Sequence, residues 1–335
     1  LLVGDIAQNS RKIIEAAQHA RDDLGADVCV FPELSITGYP PEDLLFRRDF
    51  IEQAQQAISP IALTTQGVDV VIGFPEATES GLCNSAVVLR DGKILCTYHK
   101  QALPNYGVFD EQRYFVPGEQ LTLFSIKGSK LALTICEDVW RPGMLFKNKQ
   151  AGADLVLTLN ASPFHAGKMA QREQIVSCAV KEAEVPLVYV NQIGGQDELV
   201  FDGASFVVNS QGEIVYRALE FQESVQVVEF INNVPKPATC APFFNEVPSI
   251  YHALVLGIRD YVTKNGFRGA LLGLSGGVDS ALVLALAADA LGADKVEAVL
   301  MPSCYTQAMS NEDAIAEVNA LGVKYHCIPI NPAVD

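Results

Sequence analysis

Four prolines, Pro235, Pro237, Pro242 and Pro248, fall within fourteen residues of a 335-residue chain. Proline fixes φ and removes a backbone donor, so such a run holds neither a helix interior nor a central strand. It reads as a linker over 235–248, with one domain over 1–234 and a second over 249–335. The length suits two domains, each with its own core.

The two sides of the linker follow different rules. Before it, Ile13, Ile14, Ala17 and Leu24 predict a helix over 9–24, closed by Gly25. A buried strand over 28–31 ends at Pro32-Glu33, and a helix is predicted over 50–64. Strands are expected at 68–74, 86–90 and 94–99, with a two-residue hairpin turn at Asp91-Gly92. A second hairpin joins 121–126 to 131–135. Strand 155–160, helix 171–184 and strand 187–192 follow, then an antiparallel set at 206–208, 214–216 and 225–229. Strands and helices mix without strict alternation, which suits a sandwich of mixed sheets with helices on its outer faces.

After the linker the alternation is strict. Ser249 is read as the cap of a helix with Ile250, Ala253, Leu254, Ile258, Tyr261 and Val262 in one stripe. Strand 270–274, helix 280–291 and strand 296–301 come next, then a helix opened by Ser310 with Asp313 in capping-box position, then strand 325–330. This is the start of a doubly wound, Rossmann-like α/β domain. Three strands are few for such a sheet, so the domain is expected to be incomplete. Leu1 in place of a starting methionine, and a stop at Asp335 just after an apolar strand-like run, make both ends look cut.

A hydrophobic fraction of 49% with 19% charged residues is that of a globular protein. The net charge of −16 argues against a nucleic-acid partner, because phosphate binding needs a basic field. Eight scattered cysteines with no CxxC pair and no leading signal argue against zinc and disulfides and for a cytoplasmic protein. The longest apolar run, near 281–288, is too short to cross a membrane.

One of the eight cysteines stands in a distinctive place. The apolar run Leu131 to Ile135 meets Cys136, then turns acidic at Glu137 and Asp138. A thiol at the end of a buried strand is rigidly held, and the amides after it are free to face a developing oxyanion. Taken alone, such a cysteine is more often one more small apolar core residue. A nucleophilic thiol also needs a base, and no histidine has a suggestive context; His99 and His165 are the nearest candidates. Glu33 in FPELSITGYP and Lys100 in YHKQALPNYGVFDEQRYF each end a predicted strand. Singly, each could be a solvated strand-end charge.

In this order and these contexts, Glu33, Lys100 and Cys136 resemble the catalytic triad of the nitrilase superfamily, carbon–nitrogen hydrolases of amides and nitriles. The resemblance runs over about residues 1–230 and implies an αββα sandwich. It implies that Glu33 moves the thiol proton, that Cys136 forms a thioester, and that Lys100 with the Glu137 backbone amide supports the oxyanion. Glu111, in DEQRYF, matches the family's second glutamate, which positions the lysine. The strand that normally opens the family is absent at the start of this chain.

Beyond the linker, Gly273-Leu274-Ser275-Gly276-Gly277-Val278-Asp279-Ser280 joins a buried strand to a helix. Glycines admit an anion to the backbone, and a helix N-terminus offers it free amides. A glycine turn by itself is an ordinary βα loop. The string has no Walker lysine and no GxGxxG. It resembles instead the pyrophosphate loop of the ATP pyrophosphatases, which implies ATP as substrate and Mg²⁺ held by Asp279.

The two halves together resemble the glutamine-dependent NAD synthetase family. That resemblance implies glutamine, ATP and deamido-NAD as substrates, passage of ammonia through the protein, and a homo-oligomer. It also implies that Tyr106, Glu137, Ser162 and Lys168 bind glutamine. Some members carry arginine where Lys168 stands, so its grip on a carboxylate is a point charge. Members often have a basic residue where Cys304 stands in MPSCYT. Two other readings stay open: a stand-alone amidase or carbamoylase with an ancillary C-terminal part, and a ligand-binding scaffold without turnover.

Overall fold

The computed structural model describes residues 1–334. The chain divides into two compact units: Leu1–Ile193 with Phe201–Phe244, and Gly194–Val200 with the chain from Asn245 onward.

In the first unit, β1 (Val28–Val30), β2 (Asp69–Thr78), β3 (Gly81–Arg90) and β4 (Lys93–His99) form a four-stranded sheet in that order. Only the β1–β2 pair is parallel. A second, six-stranded sheet holds β5 (Leu123–Ile126), β6 (Ser129–Ile135), β7 (Leu155–Asn160) and β8 (Leu187–Asn191). After a short hairpin, β9 (Ile193–Gln196) and β10 (Leu199–Asp202), whose residues Gly194–Val200 count with the second unit, β11 (Phe206–Val208) and β12 (Ile214–Arg217) complete that sheet in the order β12-β11-β8-β7-β6-β5.

Alternation along each strand sorts the side chains. Val71, Ala86, Val88 and Tyr98 from the first sheet meet Leu131, Leu133, Ile135, Leu157 and Leu159 from the second in one buried cluster. Val70, Ile72, Val87 and Leu89 point the other way and are equally buried. That outer side is covered by α1 (Ile6–Asp22), α2 (Arg48–Gln56) and α3 (Ile58–Thr64). Beyond the second sheet lie α4 (Met144–Gln150) and α5 (Lys168–Ala183), whose Leu145, Met169, Val176 and Val180 pack on Ala132, Val156, Leu187 and Phe206. The result is the αββα sandwich expected from the sequence.

Several boundaries differ from the expectation. The helix over 50–64 is two helices, because Pro60 has no N–H for the carbonyl of Gln56. The strand expected at 225–229 finds no ladder. Instead β13 (Phe230–Ile231) and β14 (Val234–Pro235) make a hairpin across Asn232 and Asn233, both at positive φ. Residues 235–248 are not a free tether. Ala238 N donates to Val215 O (2.8 Å), Ala241 N donates to Arg217 O (3.0 Å), and the Arg217 guanidinium lies 3.9 Å from the Phe243 ring centroid.

The second unit begins with α6 (Glu246–Lys264), capped by extended Asn245 rather than Ser249. Pro248 sits in its first turn, where a missing N–H has no intrahelical partner to lose. Strands β15 (Ala270–Gly273), β16 (Val296–Leu300) and β17 (Lys324–Cys327) are parallel in that order. They are linked by α7 (Val278–Leu291) and α8 (Ala308–Leu321), and the described chain ends in the short α9 (Asn331–Val334). Leu284 and Ala287 of α7 and Ala314 and Val318 of α8 share one core with Val296, Ala298 and Leu300. Helix α8 starts two residues before Ser310, because the preceding turn is closed by the Thr306 hydroxyl, which accepts from Ser303 N at 2.9 Å.

Candidate active site

Three chain segments bring Glu33, Lys100 and Glu111 together in the first unit. Lys100 follows the last residue of β4, and its N–H donates to Asn84 O on β3 (2.8 Å). Its ammonium is wholly buried and donates to Glu33 Oε1 at 2.7 Å and Glu111 Oε1 at 2.8 Å. Burial by itself would lower the Lys100 pKa, but the charges of Glu111 and Glu33 outweigh it and hold the group well above its ordinary value. Glu33 also accepts from Asn84 Nδ2 (2.8 Å) and, through Oε2, from Ala161 N (3.1 Å). The turn carrying Glu33 lies flat on β2 only because residue 73 is glycine: a Cβ there would stand 2.3 Å from Leu34 N. Glu111 sits in a 3-10 turn, Glu111–Arg113, and accepts from Tyr39 OH at 3.1 Å. Burial raises its carboxyl to about 7, against the pull of Lys100.

Cys136 leaves β6 at φ +44°, in the left-handed region that non-glycine residues rarely occupy. A 3-10 turn, Cys136–Trp140, starts there, so the thiol sits at a sharp strand-to-helix corner. It is 4% exposed. Burial pushes the thiol well above its ordinary range; nearby Glu33 adds to this and Lys100 works against it. Cys136 is therefore held as a thiol, with the Glu33 carboxylate and the Lys100 ammonium in its electrostatic reach.

The other expected residues surround this corner unevenly. The Tyr106 hydroxyl donates to Glu137 Oε2 at 2.9 Å, and both residues are reachable from solvent. Lys168 opens α5, with Nζ 4.4 Å from the Trp140 ring centroid. Burial and then Arg172 lower its pKa. Ser162 is buried and has a partner the sequence did not point to: Arg172 donates to its Oγ (3.0 Å) and to its carbonyl (2.8 Å). The same guanidinium is held by both Asp202 oxygens at 2.7 Å. A fully bonded buried Arg172–Asp202 pair thus fixes the loop that carries Ser162.

In the second unit the loop from Ser275 to Ser280 is held by its own hydroxyls. Ser275 N donates to Ser280 Oγ (3.2 Å), and Gly277 N donates to Ser275 Oγ (3.2 Å). Gly276, at φ +77°, lies so near α8 that a Cβ would stand 2.1 Å from Ser310 O. Gly273 and Leu274 lead into the loop, and Val278, Asp279 and Ser280 form the first turn of α7, whose leading amides have no intrahelical acceptor. Asp279 is exposed there. No group of three or more histidine, cysteine or acidic side chains is placed to hold a metal among the described residues. Mg²⁺ usually takes one or two carboxylates and fills its shell with phosphate oxygens and water, so a single carboxylate beside the loop fits that ion. No helix among the described residues is long and apolar enough to cross a membrane.

Comparison with known proteins gives two family matches: carbon–nitrogen hydrolase over residues 3–232 and NAD synthase over residues 250–335. The chain is 44% identical to the glutamine-dependent NAD(+) synthetase of Acinetobacter baylyi, over 99% of this chain and 62% of that protein. Among solved structures, the glutamine-dependent NAD+ synthetase of Acinetobacter baumannii in complex with ADP superposes with a TM-score of 0.96 at 43% identity, over 99% of this chain and 63% of that one. A nitrilase-superfamily amidase from Nesterenkonia AN1 matches with a TM-score of 0.60 at 29% identity, over 66% of this chain and 84% of its own. The chain spans about three fifths of the length of the curated relatives it matches.

Proposed function

Since this chain belongs to the carbon–nitrogen hydrolase family, we propose that its first unit hydrolyses the side-chain amide of glutamine through a thioester on Cys136. The observation that carries the reading is the buried Lys100 ammonium between Glu33 and Glu111, in the electrostatic reach of the Cys136 thiol. Glu33 takes the thiol proton as sulfur attacks the amide carbon. The oxyanion is met by Lys100 and the Glu137 backbone amide. Glu33 returns the proton to the departing ammonia, and water then cleaves the thioester to glutamate. Glu137 and Tyr106 suit the ammonium end of glutamine, and Lys168 with Ser162 the carboxylate end. Incubation with glutamine and assay of released glutamate tests this; no release from a folded chain with reactive Cys136 would sink it.

The pH dependence follows from Glu111. Its carboxyl is raised to about 7 by burial. It is ionised above that value and protonated below it. Protonation leaves Glu33 as the sole anionic partner of Lys100 and makes Glu33 a poorer base. Glutamine hydrolysis should fall by up to about tenfold per pH unit below the transition, as for one essential ionisation. Glu111→Gln should lose that transition. A wild-type profile flat from pH 6 to about 8 would refute the assignment.

The reading extends to the second unit, where ATP binds with its pyrophosphate on residues 273–280 and Mg²⁺ on Asp279. Mg²⁺, when bound, offsets phosphate charge. The ammonia then amidates deamido-NAD, whose nicotinate carboxylate has been adenylated. Support comes from the hydroxyl-locked loop, the glycine at 276 and the NAD synthase match. No lysine stands where a Walker loop would grip a γ-phosphate, so turnover should yield AMP and pyrophosphate. Asp279→Ala should lose synthesis, and added ammonium should not restore it. ADP appearing in step with NAD on nucleotide chromatography would exclude the pyrophosphate-loop assignment. The protein is further proposed to act in the cytoplasm as a homo-oligomer, as nitrilase-type domains associate; light scattering tests the subunit number.

A further inference from the structure

Asp138 lies two residues past Cys136, is 0% exposed, and has four donors on its carboxylate. Oδ1 accepts from Gln101 N at 3.0 Å and Ala102 N at 2.8 Å. Oδ2 accepts from Ile135 N at 2.9 Å and Tyr98 OH at 2.8 Å. These donors bracket both reacting residues. Tyr98 and Gln101–Ala102 stand on either side of Lys100, while Ile135 and Asp138 itself stand on either side of Cys136. One buried carboxylate therefore ties the strained corner of the nucleophile to the segment that carries the ammonium.

An ordinary capping role would account for the bond to Ile135 N alone. It does not account for three donors from a segment 36 to 40 residues earlier in the chain. We infer that Asp138 is a positioning residue that sets the placement of Cys136 relative to Lys100. The inference rests on the reading of those two residues as nucleophile and oxyanion support. A reacting group misplaced by about 1 Å costs about 10²-fold in rate, so such a tie has a kinetic consequence.

The test uses the whole chain carrying Asp138→Asn. The amide is nearly isosteric and keeps an oxygen for Gln101 N and Ala102 N. Its NH₂ then faces Ile135 N–H, donor against donor, so the tie to the Cys136 corner is cut while the other half remains. For glutamine hydrolysis, kcat should fall about 10²-fold while KM stays within about threefold. Carbamidomethylation of Cys136 by iodoacetamide, read by mass spectrometry of its peptide, should slow, while exposed Cys178 reacts as before. A purely structural role would lower the melting temperature and leave kcat per folded molecule and the Cys136 reaction alone. That outcome, with both rates within about twofold of wild type, overturns the inference.

Tyr98→Phe removes one donor without disturbing the carboxylate and should lower kcat about fivefold. If the asparagine variant does not fold, an unchanged kcat in this second variant overturns the inference by itself. The iodoacetamide arm does not depend on the natural substrate. A wild-type chain inert to glutamine whose Cys136 reaction still slows in the variant refutes the glutamine reading and keeps Asp138 in its role.

Discussion

Cys136→Ala is expected to abolish glutamine hydrolysis, by about 10⁴-fold or more, as when the nucleophile of a hydrolytic triad is removed. No other cysteine can stand in for it. Of the other seven, Cys29 and Cys83 are buried, Cys96 is half-buried, and Cys178, Cys240, Cys304 and Cys327 are exposed; Cys136 is the cysteine whose charge acts on the Lys100 ammonium. The change removes one sulfur from a site already filled by bonded carboxylates, so the fold should survive. On the proposed reading adenylation belongs to the loop of the second unit, so in the full-length protein NAD formation from added ammonium should continue at the wild-type rate. The measurement pairs glutamate release with NAD formation from either nitrogen source. Loss of both activities in a protein with a native melting curve would mean that the two chemistries are not separable in the way proposed here.

The strand-to-turn corner at Cys136 was legible because its signal is local: an apolar run of strand length meets a cysteine and then two acids. The role proposed for the thiol was not local; it came from Glu33, Lys100 and Cys136 taken together. The glycine-serine loop was legible for the same reason, since strand, loop and helix follow one another in the chain. Arg172 was not. Read alone it is a polar residue in α5, and its partner Asp202 lies 30 positions on, at the end of β10. Asn84, which donates to Glu33 across 51 positions, is likewise silent in one dimension. Helix starts failed for a different reason. Ser249 and Ser310 are good caps by type, but Asn245 already has the extended backbone a cap needs, and the Thr306 hydroxyl closes the turn before α8. Local propensity chose a residue type, and the surrounding chain chose the position.

Lys100→Met should damage both rate and fold. Losing one oxyanion donor costs about 2.7–4 kcal/mol, or about 10²–10³-fold in the rate of glutamine hydrolysis. The lysine is also the cation shared by two buried carboxylates, with Glu33 0% and Glu111 5% exposed. Taking one partner from a buried ion pair costs about 3–5 kcal/mol, because the remaining charge is left uncompensated. Methionine fills most of the volume, so little of this loss is a cavity effect. The sign with pH separates the charge effect from a packing defect. Without the ammonium, both carboxyls are raised by burial above their unfolded values. A group so raised favours the folded state at low pH and loses that advantage as pH climbs through its folded value. The gap in melting temperature between wild type and Lys100→Met should therefore be widest above pH 8 and narrow towards pH 5, a range of roughly three units that brackets the expected titration. A gap that stays constant across this range would mean that the ion pairs contribute nothing to stability. Lys100 would then hold its place by packing alone.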